Sequence, residues 1–364
     1  MLGRTLQLYI FKYMFKMTLY FFLGIGLLIF LIDFTELSNR FGNLDGFSSS
    51  LGLYITVMRL PFILSVAIPF VVLAATMTTL IQLNKKNELV VARSVGVSAW
   101  QFLLPLWLAA LLFGLFSIFV INPISAYGYS AATEAESTFR GQKRSSSPLD
   151  DNRPWLRQDS ENGGSFLIGS ESVSGNGVVL LNAVFLEIDE DGRIIRRLDA
   201  PRARLAQDRW VLSDAIASKV GQANEELGQF FVPTDIDPAV IREALVPPEL
   251  VPFLQLPEQI NAAKSFGVTS APYRMQFQSL LSMPLLLIAM TLIGATVSLK
   301  FARFGQSERM ILGGIIAGFM LYVITEVTKS FGGAGIISPI IAAWLPVAAS
   351  SMFGIAYLLH REDG

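Results

Sequence analysis

Long apolar runs broken by short charged turns dominate the chain. Residues 17–32 are apolar and stop at Asp33. Residues 60–83, 97–121, 275–299 and 331–359 contain no Asp, Glu, Lys or Arg. Residues 310–325 are equally free of charge, with Glu326 and Lys329 following close behind. A helix crosses the hydrocarbon core of a bilayer with roughly 20 apolar residues. The pattern therefore predicts six membrane spans, three before and three after a polar insertion. Pro69, Pro105, Pro284 and Pro346 fall inside these runs, which membrane helices tolerate. A signal peptide is the competing reading of the first run, but no small-x-small cleavage site follows it, so a retained span is expected.

In the insertion the period of the pattern shortens to two. Val184, Leu186 and Ile188 alternate with Phe185, Glu187 and Asp189, "DEDG" (189–192) is turn sequence, and 193–198 resumes the alternation. In 209–220, Trp210, Leu212, Ile216 and Val220 form one stripe, interrupted by Asp214 and Ser218. Short strands with turn signals predict an antiparallel β structure, a sandwich or roll. Residues 221–245 carry no clear period. Breakers mark the edges: "GQKRSSSP" (141–148) and the proline-rich "VPPELVPFLQLP" (246–257). The expected fold class is an α-helical membrane protein of six spans with an inserted all-β, jellyroll-like domain. Its parts are an N-terminal membrane half (1–126), the β domain (127–268) and a C-terminal membrane half (269–364).

Composition sharpens this picture. The chain is 52% hydrophobic and 16% charged, against about 25% charged in a soluble domain. Residues 133–264 hold 21 of the 29 acidic and 14 of the 28 basic residues. There is no cysteine and one histidine, His360, so disulfides are excluded and a Cys/His metal or nucleophile site nearly so. A net charge of −1 gives no basis for nucleic-acid binding.

Lys and Arg in the short loops set the expected orientation. Arg4, Lys12, Lys16, Lys85, Lys86, Arg93, Lys300, Arg303, Arg309 and Arg361 fall on one side, and Arg40, Arg59, Arg274 and Lys329 on the other. The richer side is cytoplasmic, so both termini are expected inside and the β domain outside. Leu6, Ile10 and Met14 recur at i, i+4, with Lys12 and Lys16 on another face. That stripe suits an interfacial helix on the inner leaflet, or the lysines simply flank the first span.

The cytoplasmic turn "KKNELVVARSVGVSAW" (85–100) stands out. Asn87 and Glu88 suit a helix start, Asn87 as its cap, and Gly96 suits its end. Glu88 in the first turn and Arg93 in the last complement the helix dipole. This short helix is either a solvated loop or a lever gripped by a soluble ATPase. The chain itself has no G-x-x-x-x-G-K-[ST] loop, so it binds no nucleotide cofactor by that route, and no nucleophile–base pair is apparent.

Here the residues resemble a family. "LNKKNELVVARSVGVSAWQ" is similar to the coupling segment of the LptF/LptG (YjgP/YjgQ) lipopolysaccharide-export permeases, whose pattern is close to "SEL-x-x-x-x-ASG". "YRMQFQSLLSMPLLLIAMTLIGATVSLKFAR" resembles their fourth span and "ISPIIAAWLPVAASSMFGIAYLLHRED" their last. The layout also agrees over essentially the full length, and "IDFTELSNRF" resembles the LptG branch. The resemblance implies a bacterial inner-membrane permease, paired with an LptF-like paralogue and bound to a dimeric LptB-like ATPase that uses ATP and Mg. It also implies extraction of lipopolysaccharide from the outer leaflet and transfer to a periplasmic β-jellyroll bridge, joined by a single-span LptC-like protein.

It carries site roles with it. Glu88 matches the glutamate that docks in the ATPase, with Leu89, Val90 and Arg93 in support. Asn87 stands where the pattern commonly has Ser. The lateral opening lies between the first and fifth spans in the family. Phe30, Phe34, Ile315, Ile316, Phe319, Tyr322 and Val323 are the cavity and gate candidates, with Gly313, Gly314 and Gly318 allowing close helix contact. Some LptG proteins carry a lysine where this chain has Phe30. Arg40, Arg59, Arg274 and Lys329 are candidates for phosphate contacts at the outer rim, or for interfacial anchoring. Asp33 and Glu326 are expected to pair with Arg40, Arg59 or Lys329. The rival readings are a lipoprotein-releasing permease, normally of four spans, a membrane enzyme of envelope lipids or glycans, and a non-transporting sensor.

Overall fold

A computed structural model describes residues 4–42, 48–140, 155–159, 164–170, 172–174, 179–189, 192–206, 209–219, 224–234, 247–265, 269–304 and 307–362. The opening breaker at 141–148, Val220 and most of the aperiodic 221–245 stretch lie outside these residues. Helices α1 (Arg4–Phe41), α2 (Ser49–Lys85), α3 (Glu88–Ser94) and α4 (Ala99–Phe116) come first. A π-helical turn, Ser117–Ile121, then leads without a break into α5 (Asn122–Arg140). After the β domain follow α6 (Leu256–Ser265), α7 (Ala271–Phe304), α8 (Ser307–Gly333) and α9 (Pro339–Glu362). Among the described residues six helical segments are long and apolar enough to cross a membrane: α1, α2, Trp100–Glu136, and stretches of α7, α8 and α9.

Two compact units emerge. The first comprises Met1–Leu31, Phe62–Asn122 and Arg274–Gly364, the second Ile32–Pro61 and Pro123–Tyr273. In the first, one apolar core joins Ile10 and Met14 of α1, Ile68 and Val72 of α2, Leu89 of α3, Phe102 and Leu106 of α4, and Leu287 and Leu292 of α7. The Leu6–Ile10–Met14 stripe thus belongs to the protein core and does not lie on a lipid leaflet. An apolar stripe is satisfied equally by lipid and by other helices, and here the helices take it. Small residues permit close contact: a Cβ on Gly114 would come within 2.7 Å of Pro284 Cα.

The third span runs past Asn122-Pro123, where the pattern predicts its end. Pro123 has no N–H to donate and its ring crowds the preceding turn. The chain absorbs this by widening Ser117–Ile121 to a π turn, a usual way for a helix to take up an insertion. The helix then continues to Arg140, and Leu37 and Phe41 of α1, Ile55 of α2 and Ala132 of α5 form a core of the second unit. Gly128 makes this approach possible, since a Cβ there would sit 2.3 Å from the Met58 carbonyl oxygen.

The rest of the second unit is an antiparallel sheet of β1 (Trp155–Asp159), β2 (Ser165–Gly169), β3 (Ser172–Ser174), β4 (Val179–Ile188), β5 (Ile194–Ala206), β6 (Arg209–Ser218) and β7 (Glu225–Pro233). The order is β1-β2-β4-β5-β6-β7, with β3 sharing an edge of β4 with β2. Among the described residues its core, centred on Phe185, Leu198, Trp210 and Leu212, is made of strand side chains. The ladder is interrupted at Asn182 (φ 50°), at Pro201 and at Asp214 (φ 52°), and its register shifts on either side of the Ala215–Gly228 pair, where Gly228 has φ 63°. Asn, Asp and Gly accept left-handed backbone most readily, and Pro withholds a ladder N–H. Bulges of this kind bend strands and shift which residues face inward. On β6 the inward set passes from Trp210 and Leu212 to Ala215 and Ala217. Ile216 therefore leaves the stripe that simple alternation assigns to it.

Candidate functional site

Two left-handed residues bound α3, one at each end. Asn87, at φ 59°, makes no side-chain capping bond, so its role differs from the expected cap: it supplies a conformation that asparagine tolerates better than most residues. At the other end, Gly96 (φ 85°) closes α3. Gly96 N–H donates to Arg93 O at 2.9 Å and Val97 N–H to Ala92 O at 3.2 Å, the pair of bonds that defines a Schellman stop. Between these ends α3 divides its faces. Leu89 is buried in the first unit's core, while Val90, Val91 and Val95 are exposed. Arg93 is exposed and its guanidinium lies 6.0 Å over the Phe102 ring. Glu88, half-buried, accepts a hydrogen bond from the Tyr9 hydroxyl of α1 at 3.2 Å. The segment offers one carboxylate beside an apolar ridge of three valines, anchored from below by Leu89.

Elsewhere in the first unit, α1, α2 and α8 enclose an apolar cleft of about 700 Å³. Phe21, Ile25 and Leu28 form its α1 wall, Leu73 and Met77 its α2 wall, and Ile311 and Ile315 its α8 wall. Among the described lining residues Tyr20 and Thr78 bring the side-chain hydroxyls. Of the candidate cavity residues, Ile315 lines this cleft. Tyr322 packs against Phe70 with the rings tilted by 57° and their centroids 5.0 Å apart. Ile316 and Phe319 are exposed on α8, Val323 is half-buried, and Phe30 and Phe34 are half-buried on α1 without lining the cleft. Gly318 and Gly314 do seat α8 on α2, because a Cβ would fall 2.4 Å from Leu73 Cδ2 and 3.0 Å from Met77 Cε respectively. Gly313 faces open space. The α2 wall could not be read from sequence, since a helix that is apolar all round shows no preferred face.

The rim charges divide between the units. In the second, Arg59 reaches two carboxylates: its Nη2 lies 3.7 Å from Asp33 Oδ1 and its Nη1 3.5 Å from Glu136 Oε2. Asp33 thus has one of its expected partners. Glu136 was not foreseen, because it sits on the helix that continues beyond Pro123. Its side chain is 4% exposed and that of Asp33 10%. Arg40 pairs with Glu36 one turn away at 2.9 Å, both exposed, a contact worth well under ~1 kcal/mol. In the first unit, Arg274 is exposed, while Glu326 and Lys329 are half-buried and make no ion pair with described residues.

Removing one partner from a buried ion cluster costs ~3–5 kcal/mol. Arg59 is 24% exposed, so Arg59→Met is expected to cost less, about 2–3 kcal/mol. Thermal unfolding in detergent reads the loss, and adding Asp33→Asn and Glu136→Gln should restore most of it. An unchanged midpoint for the single variant would show that Arg59 does not hold this cluster.

Among the described residues no group of three or more His, Asp or Glu is placed to hold a metal ion. The described residues thus hold an apolar cleft among α1, α2 and α8, a half-buried carboxylate on the short helix α3, and an antiparallel sheet that lies in the sequence between two sets of three candidate spans. A search of curated proteins returns no match. Residues 8–361 match the family model described as lipopolysaccharide export system permease LptF/LptG, a match that does not separate the two branches. Covering nearly the whole chain and agreeing with six spans around an inserted β domain, it shows that this protein belongs to the LptF/LptG family of lipopolysaccharide-export permeases and is a multi-pass protein of the inner membrane.

Proposed function

We propose that the chain is one permease half of an ATP-driven exporter, and that it takes lipopolysaccharide sideways from the outer leaflet of the inner membrane. The observation that carries this reading is the apolar cleft among α1, α2 and α8, the first, second and fifth spans. Its walls suit acyl chains, which need no hydrogen-bond partners. Both termini and α3 are cytoplasmic and the β roll is periplasmic, as the Lys and Arg distribution favours. The roll passes lipid on to a periplasmic β bridge.

ATP and Mg are used by a separate dimeric ATPase. It grips α3 through Glu88, with Val90 and Arg93 beside it and Leu89 as the internal anchor. A paralogous permease completes the membrane core, and a single-span periplasmic β protein joins it. Asp33, Arg59 and Glu136 tie α1, α2 and α5 together near the outer surface.

Purification of the tagged chain from native membranes in mild detergent tests this assembly. Recovery of a soluble ATPase and a second six-span permease, with lipopolysaccharide carried along, is expected. Recovery of the chain without an ATPase would overturn the ATP-driven reading.

A further inference from the structure

Two tyrosines one turn apart on α1 face the turn from α2 into α3. The Tyr9 hydroxyl donates to Glu88 Oε1 at 3.2 Å. The Tyr13 hydroxyl donates to Gln82 Oε1, and Lys86 Nζ lies 5.5 Å from the centroid of the Tyr13 ring. The two rings are 6.1 Å apart. Beneath them Leu89 shares a core with Ile10 and Met14. The Tyr9–Glu88 bond above and the apolar contacts of Leu89 below thus join α3 to the first turns of α1, 79 residues away in the chain, while Tyr13 ties the same turns to the end of α2.

We propose that Tyr9 is a positioning residue for Glu88: its hydroxyl holds the carboxylate ready for the ATPase and makes α1 a direct receiver of α3 motion. A glutamate on a seven-residue helix otherwise samples several rotamers, and fixing one such side chain in advance raises affinity about two- to tenfold. The contact also matters for direction of travel. The covalent route from α3 runs only to α2 and α4, whereas α1 is the helix that supplies Phe21, Ile25 and Leu28 to the cleft. The Tyr9–Glu88 bond gives that wall its own link to the docking turn. The inference rests on the reading of α3 as the ATPase-gripped element.

Tyr9→Phe removes the hydroxyl and keeps the ring. In the complete permease pair, titrated with the ATPase in detergent and assayed for transport in vesicles, it is expected to lower ATPase affinity two- to tenfold and transport per ATP hydrolysed in parallel. Placed on Glu88→Ala, the same change should have no further effect. A silent Tyr9→Phe beside an impaired Glu88→Ala would overturn this inference alone. Equal losses in both backgrounds would also overturn it, because Tyr9 would then act on the fold and not through Glu88. A silent Glu88→Ala would overturn the docking reading itself, and this inference with it.

Discussion

Glu88→Lys is expected to strip the proposed ATPase from the permease while leaving the permease folded. The two halves of that expectation rest on different contacts. Folding of the turn depends on the left-handed Asn87, the Schellman stop at Gly96 and the burial of Leu89. Glu88 contributes a single part-exposed hydrogen bond from Tyr9, so its replacement costs the chain itself little. At the interface the balance reverses. Breaking a hydrogen-bonded charge pair that a partner has buried costs ~2–5 kcal/mol, about thirtyfold to several-thousand-fold in affinity, and a lysine adds repulsion against any cationic groove. Affinity purification of the variant should therefore yield permease at normal level and thermal stability, without ATPase, and transport should fall to background. Leu89→Ala is the control of opposite kind: it should lower stability by ~2–5 kcal/mol through the emptied core position. Normal ATPase recovery with Glu88→Lys would exclude this carboxylate as the docking group.

The parts of the molecule legible in its sequence are those set by strong local contrasts. Six spans could be read because a charge inside hydrocarbon is expensive and runs without Asp, Glu, Lys or Arg are rare elsewhere. The short helix α3 could be read because charges and a glycine punctuate its ends. What escaped was set by contacts between distant segments. Pro123 reads as a helix stop, yet the π turn at Ser117–Ile121 absorbs it, and Glu136 was lost to view with the continuing helix. Asp214 reads as a mere interruption of its stripe, yet left-handed backbone there and at Asn182 flips the inward face of β6 and β4. The Leu6–Ile10–Met14 stripe has the same period whether lipid or protein covers it. Tyr9 carries no local signal at all, since its partner is 79 residues away. The cleft follows the same logic. Its α1 and α8 sides were expected from the family resemblance, but the residues that form it, apart from Ile315, depend on helix rotation that an all-apolar sequence does not encode.

Gly24→Trp should test the cleft, lowering transport at least tenfold with the complex still assembled. Gly24 lies on the α1 wall, and a Cβ built there meets no atom within 4 Å. A large side chain can therefore enter without moving the backbone, and the helix gains by losing a glycine, by up to ~1 kcal/mol. An indole in a cleft of about 700 Å³ takes space that an acyl chain would otherwise occupy, and losing even a few buried methylenes, at ~0.8 kcal/mol each, reduces lipid occupancy more than tenfold. Gly318 supplies the contrast. Its Cβ position lies 2.4 Å from Leu73 Cδ2, so Gly318→Trp should wedge α8 from α2 and reduce the yield of folded protein, with ATPase and transport lost together. Transport in vesicles, measured beside thermal stability and ATPase recovery, separates the two. A Gly24→Trp permease that assembles and still exports at the normal rate would place the lipid path outside this cleft, and the gate would then have to be sought on the exposed face of α8 that carries Ile316 and Phe319.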